Sequence, residues 1–190
     1  MDFSQIYNHD SFTEKDLEQI KKSHVRHEFK KGDYLLKEHQ ISNEYFCIES
    51  GILRSYAFNY NGDEITTNFF SAGEIAIEPI SLFLQTETKE YIQCLTDVVC
   101  WKISNPNFQE LFHTVPNFSN WGRMWMTHAL LHSKQRTHSI LTASAKERYL
   151  SFQKLNPILI KNVPLKFIAS YLGITDSTLS KIRKEITKPI

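Results

Sequence analysis

Leu165-Lys166-Phe167-Ile168-Ala169-Ser170-Tyr171-Leu172-Gly173-Ile174-Thr175-Asp176-Ser177-Thr178-Leu179-Ser180-Lys181-Ile182-Arg183-Lys184 is the stretch that decides how this 190-residue chain is read. Gly173 marks a turn where the backbone needs positive φ. Four residues earlier, Ala169 is small enough for two helices to approach closely. Apolar residues fall at Ile168, Leu172, Ile174, Leu179 and Ile182, the spacing that buries one stripe of each of two helices against the other. Thr175 is placed to cap the second helix through its hydroxyl, and Asp176 follows at the positive end of the helix dipole. Asp176, Ser177, Ser180, Lys181 and Lys184 then share the outward face. The pattern predicts a helix-turn-helix. With Thr175, these residues form the set expected to meet the bases and phosphates of a DNA major groove.

An ordinary pair of packed core helices with a solvated face has similar spacing, so the charge distribution is the discriminating feature. From Lys134 onward the chain carries eleven Lys and Arg against Glu147, Asp176 and Glu185, a net +8; the part before it nets −7. A basic segment that holds the helix-turn-helix is the electrostatic footprint of a phosphate-backbone binder, whereas the acidic part is unsuited to DNA.

The length suits one mid-sized domain plus a small one, and 41% hydrophobic with 13% aromatic residues is enough for real cores. Met1 to Leu17 is polar, with no apolar stretch after a basic region, and no run approaches the roughly 18 apolar residues of a membrane span. A cytoplasmic address is expected. Cys47, Cys94 and Cys100 are odd in number and sit in apolar, strand-like runs, which favours buried reduced thiols over disulfides.

Ser11 or Thr13 opens a short helix with Phe12, Leu17 and Ile20 inside. Short aromatic and β-branched segments follow at 27–29, 34–37, 45–49, 52–58, 64–70, 91–95 and 98–103, separated by Gly32-Asp33, Ser50-Gly51, Asn61-Gly62-Asp63 and Ala72-Gly73. Many short strands with frequent turns predict a small antiparallel barrel or sandwich, with Asn61-Gly62 as a tight hairpin. Asn105-Pro106 then starts a short helix, and Pro116 precedes a long one running to about Leu141. Phe118, Trp121, Trp125 and His128 recur on it at three- and four-residue spacing. Its first half is expected on the barrel and its exposed remainder on a second copy. Ala145 to Leu155 reads as another helix, ended by Asn156-Pro157.

Order adds information: a barrel, a long helix, then a helix-turn-helix. The chain resembles the cyclic-AMP receptor protein and fumarate-nitrate regulator (Crp/Fnr) superfamily. In the barrel the resemblance rests on Lys31-Gly32-Asp33-Tyr34-Leu35, Phe46 to Arg54, Asn61-Gly62 and Phe70-Ser71-Ala72-Gly73-Glu74. In the tail it rests on Ile168 to Thr175 and Ser177 to Lys184. It implies an α+β chain: an antiparallel, cyclic-nucleotide-binding-like β-roll with flanking helices over 1–115, a dimerisation helix over 116–142 and a helix-turn-helix domain over 143–190. It further implies a homodimeric transcription regulator that binds double-stranded DNA, with RNA polymerase and an unidentified small-molecule effector as further candidate partners, no membrane and no cofactor.

Relatives that bind cyclic AMP follow a Gly-Glu pair with a short helix and an Arg-Ser or Arg-Thr pair that cradles the cyclic phosphate. Gly73-Glu74 is present, and Glu74 is expected to reach a ribose hydroxyl, but Ile75 to Glu90 contains no Arg. Thr88 and Lys89 stand in the place of the missing pair, with Glu87 and Glu90 crowding any phosphate. Gly73, Glu74, Thr88 and Lys89 are therefore the candidate effector residues, for a ligand other than cyclic AMP or for none. Ile75, Ile77, Ile80, Leu82 and Phe83 are expected to line an apolar cavity inside the barrel. No β-hairpin wing is expected after the second helix of the tail, which leaves phosphate contacts to Lys161, Lys166, Arg183, Lys184 or Lys188.

Two other classes fit less well. Three scattered cysteines cannot hold a four-cysteine iron–sulfur cluster, and the His24/His27 and His128/His132 pairs have no neighbouring carboxylate, so no metal site is assigned. A cupin-like metal enzyme lacks its His-x-His, and no phosphate loop or nucleophile elbow occurs, so the chain is not expected to be an enzyme. A β-roll sensor that acts through a protein partner is the alternative closest to the main reading.

Overall fold

A computed structural model describes residues 1–187. A 3-10 turn over Phe3–Gln5 and helix α1 (Glu14–Lys22) precede strands β1 (Val25–Phe29), β2 (Tyr34–Leu36), β3 (Glu44–Ser50), β4 (Leu53–Phe58), β5 (Glu64–Phe70) and β6 (Ile75–Ala76). Helix α2 (Pro79–Leu84), β7 (Tyr91–Cys94) and β8 (Val98–Ser104) complete the strand-rich part. Six helices follow: α3 (Asn105–Thr114), α4 (Phe118–Thr142), α5 (Ala145–Leu155), α6 (Pro157–Asn162), α7 (Leu165–Tyr171) and α8 (Asp176–Thr187).

The strands form two four-stranded sheets in the orders β1-β8-β3-β6 and β2-β7-β4-β5. The expected antiparallel roll is therefore present. Inside it, Leu36, Phe46, Ile48, Leu53, Ile92 and Cys100 form a buried cluster drawn from both sheets. Tyr45 and Cys47 alternate with Phe46 and Ile48 on β3 and point the other way, into a second cluster built with Phe3, Ile20, Phe108, Phe118 and Trp121. Burial on both faces explains why β3 reads as a continuous apolar run rather than a polar–apolar alternation. Gly51, at φ 101°, turns β3 into β4 where a Cβ would collide with the Asp97 carbonyl, so this turn requires glycine.

Local signals set the helix ends. Thr13 caps α1 in a reciprocal box with Asp16, Ser104 caps α3, and Ser144 caps α5 in a box with Glu147. Four elements have no counterpart in the sequence reading: the 3-10 turn, β6, α2 and α6. β6 has two residues and exists through its pairing with Phe46 and Cys47, too short for any periodicity. Pro157, read as a stop, is also the first residue of α6, a position where its missing N–H costs nothing.

Two compact units emerge. One comprises Met1–Tyr56 and Phe69–Thr127; the other comprises Ala57–Asn68 and His128–Ile190, described through residue 187. The tip of the β4–β5 hairpin thus belongs with the C-terminal helices.

Candidate nucleic-acid interface and effector region

In the second unit the pair α7–α8 is built by local rules. Gly173 adopts φ 66°, its N–H bonds the Ser170 carbonyl at 3.1 Å, and the Ile174 N–H bonds the Ala169 carbonyl at 3.0 Å. This double closure ends α7 with a left-handed residue and turns the chain sharply into α8. Thr175 caps α8: its Oγ1 accepts from the Thr178 N–H at 3.2 Å. Of the predicted stripe, Ile168, Leu172, Leu179 and Ile182 are buried, with Ala169 beside them, whereas Ile174, in the turn, is only half-buried.

The outward face of α8 carries Asp176, Ser177, Ser180, Lys181 and Lys184, all exposed, with Thr175 exposed at its start. Asp176 stands in the first turn, where it complements the dipole. The Thr175 hydroxyl also lies 2.9 Å from the Ser177 hydroxyl, so cap and first exposed turn form one hydrogen-bonded cluster. Lys161, Lys166 and Arg183 are exposed as well. Lys188 lies outside the described residues.

The four candidate effector residues occupy two separate turns. Gly73 and Glu74 lie between β5 and β6, where the exposed Glu74 carboxylate bends back to accept from the Ser71 N–H at 2.6 Å and its hydroxyl at 3.0 Å. Glu74 thus holds its own turn. Thr88 is buried, its N–H and carbonyl paired with Gln40 and His39, and its hydroxyl accepts from the Glu90 N–H at 2.9 Å. Lys89 is exposed beside it.

The carboxylate that organises this region is Glu78, which the sequence reading did not single out. It is buried, and it caps α2 by accepting from the Ile80 N–H at 3.2 Å and the Ser81 N–H at 2.6 Å. An acid directly before Pro79 was the available signal, since Pro favours the first helical position. The Ser81 hydroxyl then holds the neighbouring loop, accepting from the Ser42 N–H at 2.8 Å and donating to the Thr86 carbonyl at 2.5 Å. The apolar residues of this segment also part from expectation. Ile75, Ile77 and Phe83 line a crevice with Phe112, Trp125 and Met126 on α3 and α4, outside the roll. Ile80 is exposed and Leu82 fully buried. An open depression of about 710 Å³ lies elsewhere in this unit, between the loop at 39–44 and a floor of Leu36, Phe46 and Ile92.

Residues 26–115 match the Cyclic nucleotide-binding domain family. No curated protein matches the sequence significantly. Among solved structures, the c-di-GMP-responsive global regulator CLP of Xanthomonas campestris superposes with a TM-score of 0.70 at 13% identity, over 92% of this chain and 91% of that one. A CooA mutant from Carboxydothermus hydrogenoformans gives 0.69 at 20% identity, over 98% and 84%. The Catabolite Activator Protein of Thermus thermophilus gives 0.62 at 14% identity, over 96% and 86%. The chain shares the fold of these three proteins.

In the effector region the N-terminal donors of α2 are already engaged within the chain. Pro79 has no N–H to offer, Glu78 already occupies the N–H groups of Ile80 and Ser81, and Thr88 is buried without a guanidinium nearby in sequence. The N-terminal donors of α2 that would receive an anion are thus satisfied by the chain's own carboxylate. Among the described residues no helix is long and apolar enough to cross a membrane.

Proposed function

We propose that this chain is a homodimeric, sequence-specific DNA-binding transcription regulator of the Crp/Fnr type, non-enzymatic and cytoplasmic, whose β-roll responds to an effector other than cyclic AMP or to none. The observation that carries the reading is the capped α8 behind the Gly173 turn, with one face buried on α7 and the other exposing Ser177, Ser180, Lys181 and Lys184. A helix of this kind lays its N-terminal half in the major groove. Thr175, Asp176, Ser177, Ser180 and Lys181 then meet base edges, while Lys184 meets phosphate.

Residues 116–142 are assigned the dimer seam. On α4, Met124, His128, Leu131, Gln135 and His138 recur in alternating steps of four and three, the heptad spacing of a two-stranded coiled coil. Met124 and Leu131 are 37% and 53% exposed in the single chain, as an uncovered seam requires. Two-fold pairing presents two copies of α8 to half-sites about 34 Å apart, and a shift in the pairing changes that spacing and hence the affinity. Selection of bound fragments from the source genome, followed by titration against salt, tests the reading. A retained operator whose affinity falls steeply with salt is expected; salt-insensitive binding to a protein partner and to no duplex would replace it.

A further inference from the structure

β5 is the outer strand of its sheet, so one side of its backbone has no strand partner and needs other groups. Thr66, fully buried on β5, finds them on two helices of its own compact unit. Its N–H donates to the Ser170 hydroxyl of α7 at 3.1 Å. Its carbonyl accepts from Nη2 of Arg136, on α4, at 3.4 Å. The same Nη2 donates to the Tyr171 carbonyl at 3.0 Å, and the guanidinium carbon lies 4.4 Å from the centre of the Tyr171 ring. Ser170 Oγ is also 2.9 Å from the Thr66 hydroxyl and 3.0 Å from the Phe167 carbonyl, so its one hydrogen has two acceptors within reach.

Tyr171 is the last residue of α7, two before the Gly173 turn. Its carbonyl is one of those a helix end leaves without an intrahelical partner, and a cation there is favoured by the helix dipole. An edge strand, the long helix and the end of the first helix of the helix-turn-helix therefore meet at one node.

We propose that the hairpin tip Ala57–Asn68 is a structural component of the DNA-binding unit, and that Ser170 and Arg136 are positioning residues which set α7 and the Gly173 turn against it. The proposal rests on the reading of α8 as the DNA-contacting helix. A displacement of β5 either carries α7 with it or leaves the buried Thr66 N–H without an acceptor. The second outcome is the unfavourable one.

The test uses the full-length chain with Ser170→Ala and Arg136→Gln, each removing one arm of the node, and Ser170→Thr, which keeps the hydroxyl. Backbone amide exchange is followed at Thr66 and at Leu172, Gly173 and Ile174, together with binding to an operator selected by the wild type and to random duplex. Both loss variants are expected to speed exchange at all four amides and to weaken operator binding at least tenfold. Random-duplex binding and its salt slope stay unchanged, because the phosphate-contacting lysines are untouched, and Ser170→Thr restores operator binding. A merely structural contribution would lower both kinds of binding together, and that result overturns the proposal. So does operator affinity within twofold of wild type once Thr66 exchange has accelerated. Arg136→Gln keeps the test decisive should Ser170→Ala fail to fold. Absence of any DNA binding by the wild type defeats the function reading instead. In that event the node is judged by exchange alone: acceleration at Leu172 to Ile174 supports it, and unchanged exchange there overturns it.

Discussion

The Tyr7 hydroxyl donates to Nε2 of His24 at 2.8 Å in the core of the first unit, and this contact orders a whole chain of buried polar groups. His24 Nδ1 lies 2.7 Å from the Ile20 carbonyl, which can only accept, so Nδ1 carries the ring proton and Nε2 is the acceptor. Tyr7 oxygen in turn accepts from the Tyr45 hydroxyl at 2.7 Å. Each group is satisfied in one direction only, with a neutral imidazole at the end.

That neutrality makes stability pH-dependent. Burial pushes His24 down to about 4, below its ordinary value of about 6.5 in the unfolded chain. As pH falls through 6.5 the unfolded state takes up the proton first, so stability is present in full above that range and is lost down to about pH 4, by up to about 3 kcal/mol. Urea titrations at pH 7.5, 5.5 and 4.5 should show the decline. Tyr7→Phe, which leaves Nε2 without its donor, should cost about 1–3 kcal/mol at neutral pH; equal stability for the variant would refute the chain.

Burial pushes the thiols of Cys47, Cys94 and Cys100 up to about 12. A thiol that high has almost no thiolate at pH 8, and all three are buried and free of disulfides. Ellman's reagent should label none in the native protein within minutes and all three in denaturant. Rapid native labelling at any of them would contradict the assigned burial.

Lys181→Ala and Lys184→Ala should differ in kind. The first is expected to cost about 1–3 kcal/mol and to relax preference at particular base pairs; the second should weaken all duplexes alike and reduce the salt slope by about one. Fluorescence anisotropy against operator and scrambled duplex separates them, and two variants indistinguishable from wild type would mean that α8 is not the reading helix.

Leu131→Asp should dissociate the dimer while leaving the protomer folded, because Leu131 is 53% exposed in the single chain and a carboxylate there is solvated until a second copy covers it. Facing carboxylates in a seam lose several kcal/mol. Light scattering at micromolar concentration reads the result directly, and a wild-type chain that stays monomeric with and without DNA would remove the seam.

Cyclic AMP at physiological concentration is expected neither to bind nor to change operator affinity, since Glu78 already fills the α2 donors and a phosphate there would face its buried carboxylate. Titration calorimetry showing saturable micromolar binding coupled to tighter operator binding would reverse this. Lys89, exposed next to the buried Thr88, is the residue to substitute in that event.

The helix pair α7–α8 was legible in the sequence because its turn and cap are set within a few residues, Gly173 closing α7 and Thr175 capping α8, and because its buried residues repeat at helical spacing. The roll was legible for the same reason, as strand alternation and turn glycines are local signals. What the tertiary structure alone decided lies in pairings distant along the chain. The carboxylate of Glu74 stays in its own turn, while Glu78 takes the donors of a helix too short to announce itself. Tyr7 meets Tyr45 across 38 positions, and Thr66 meets Ser170 across 104. Such contacts join backbone and side-chain groups that no periodicity relates, and burial makes each of them costly to leave unmade; only the folded chain shows which groups meet.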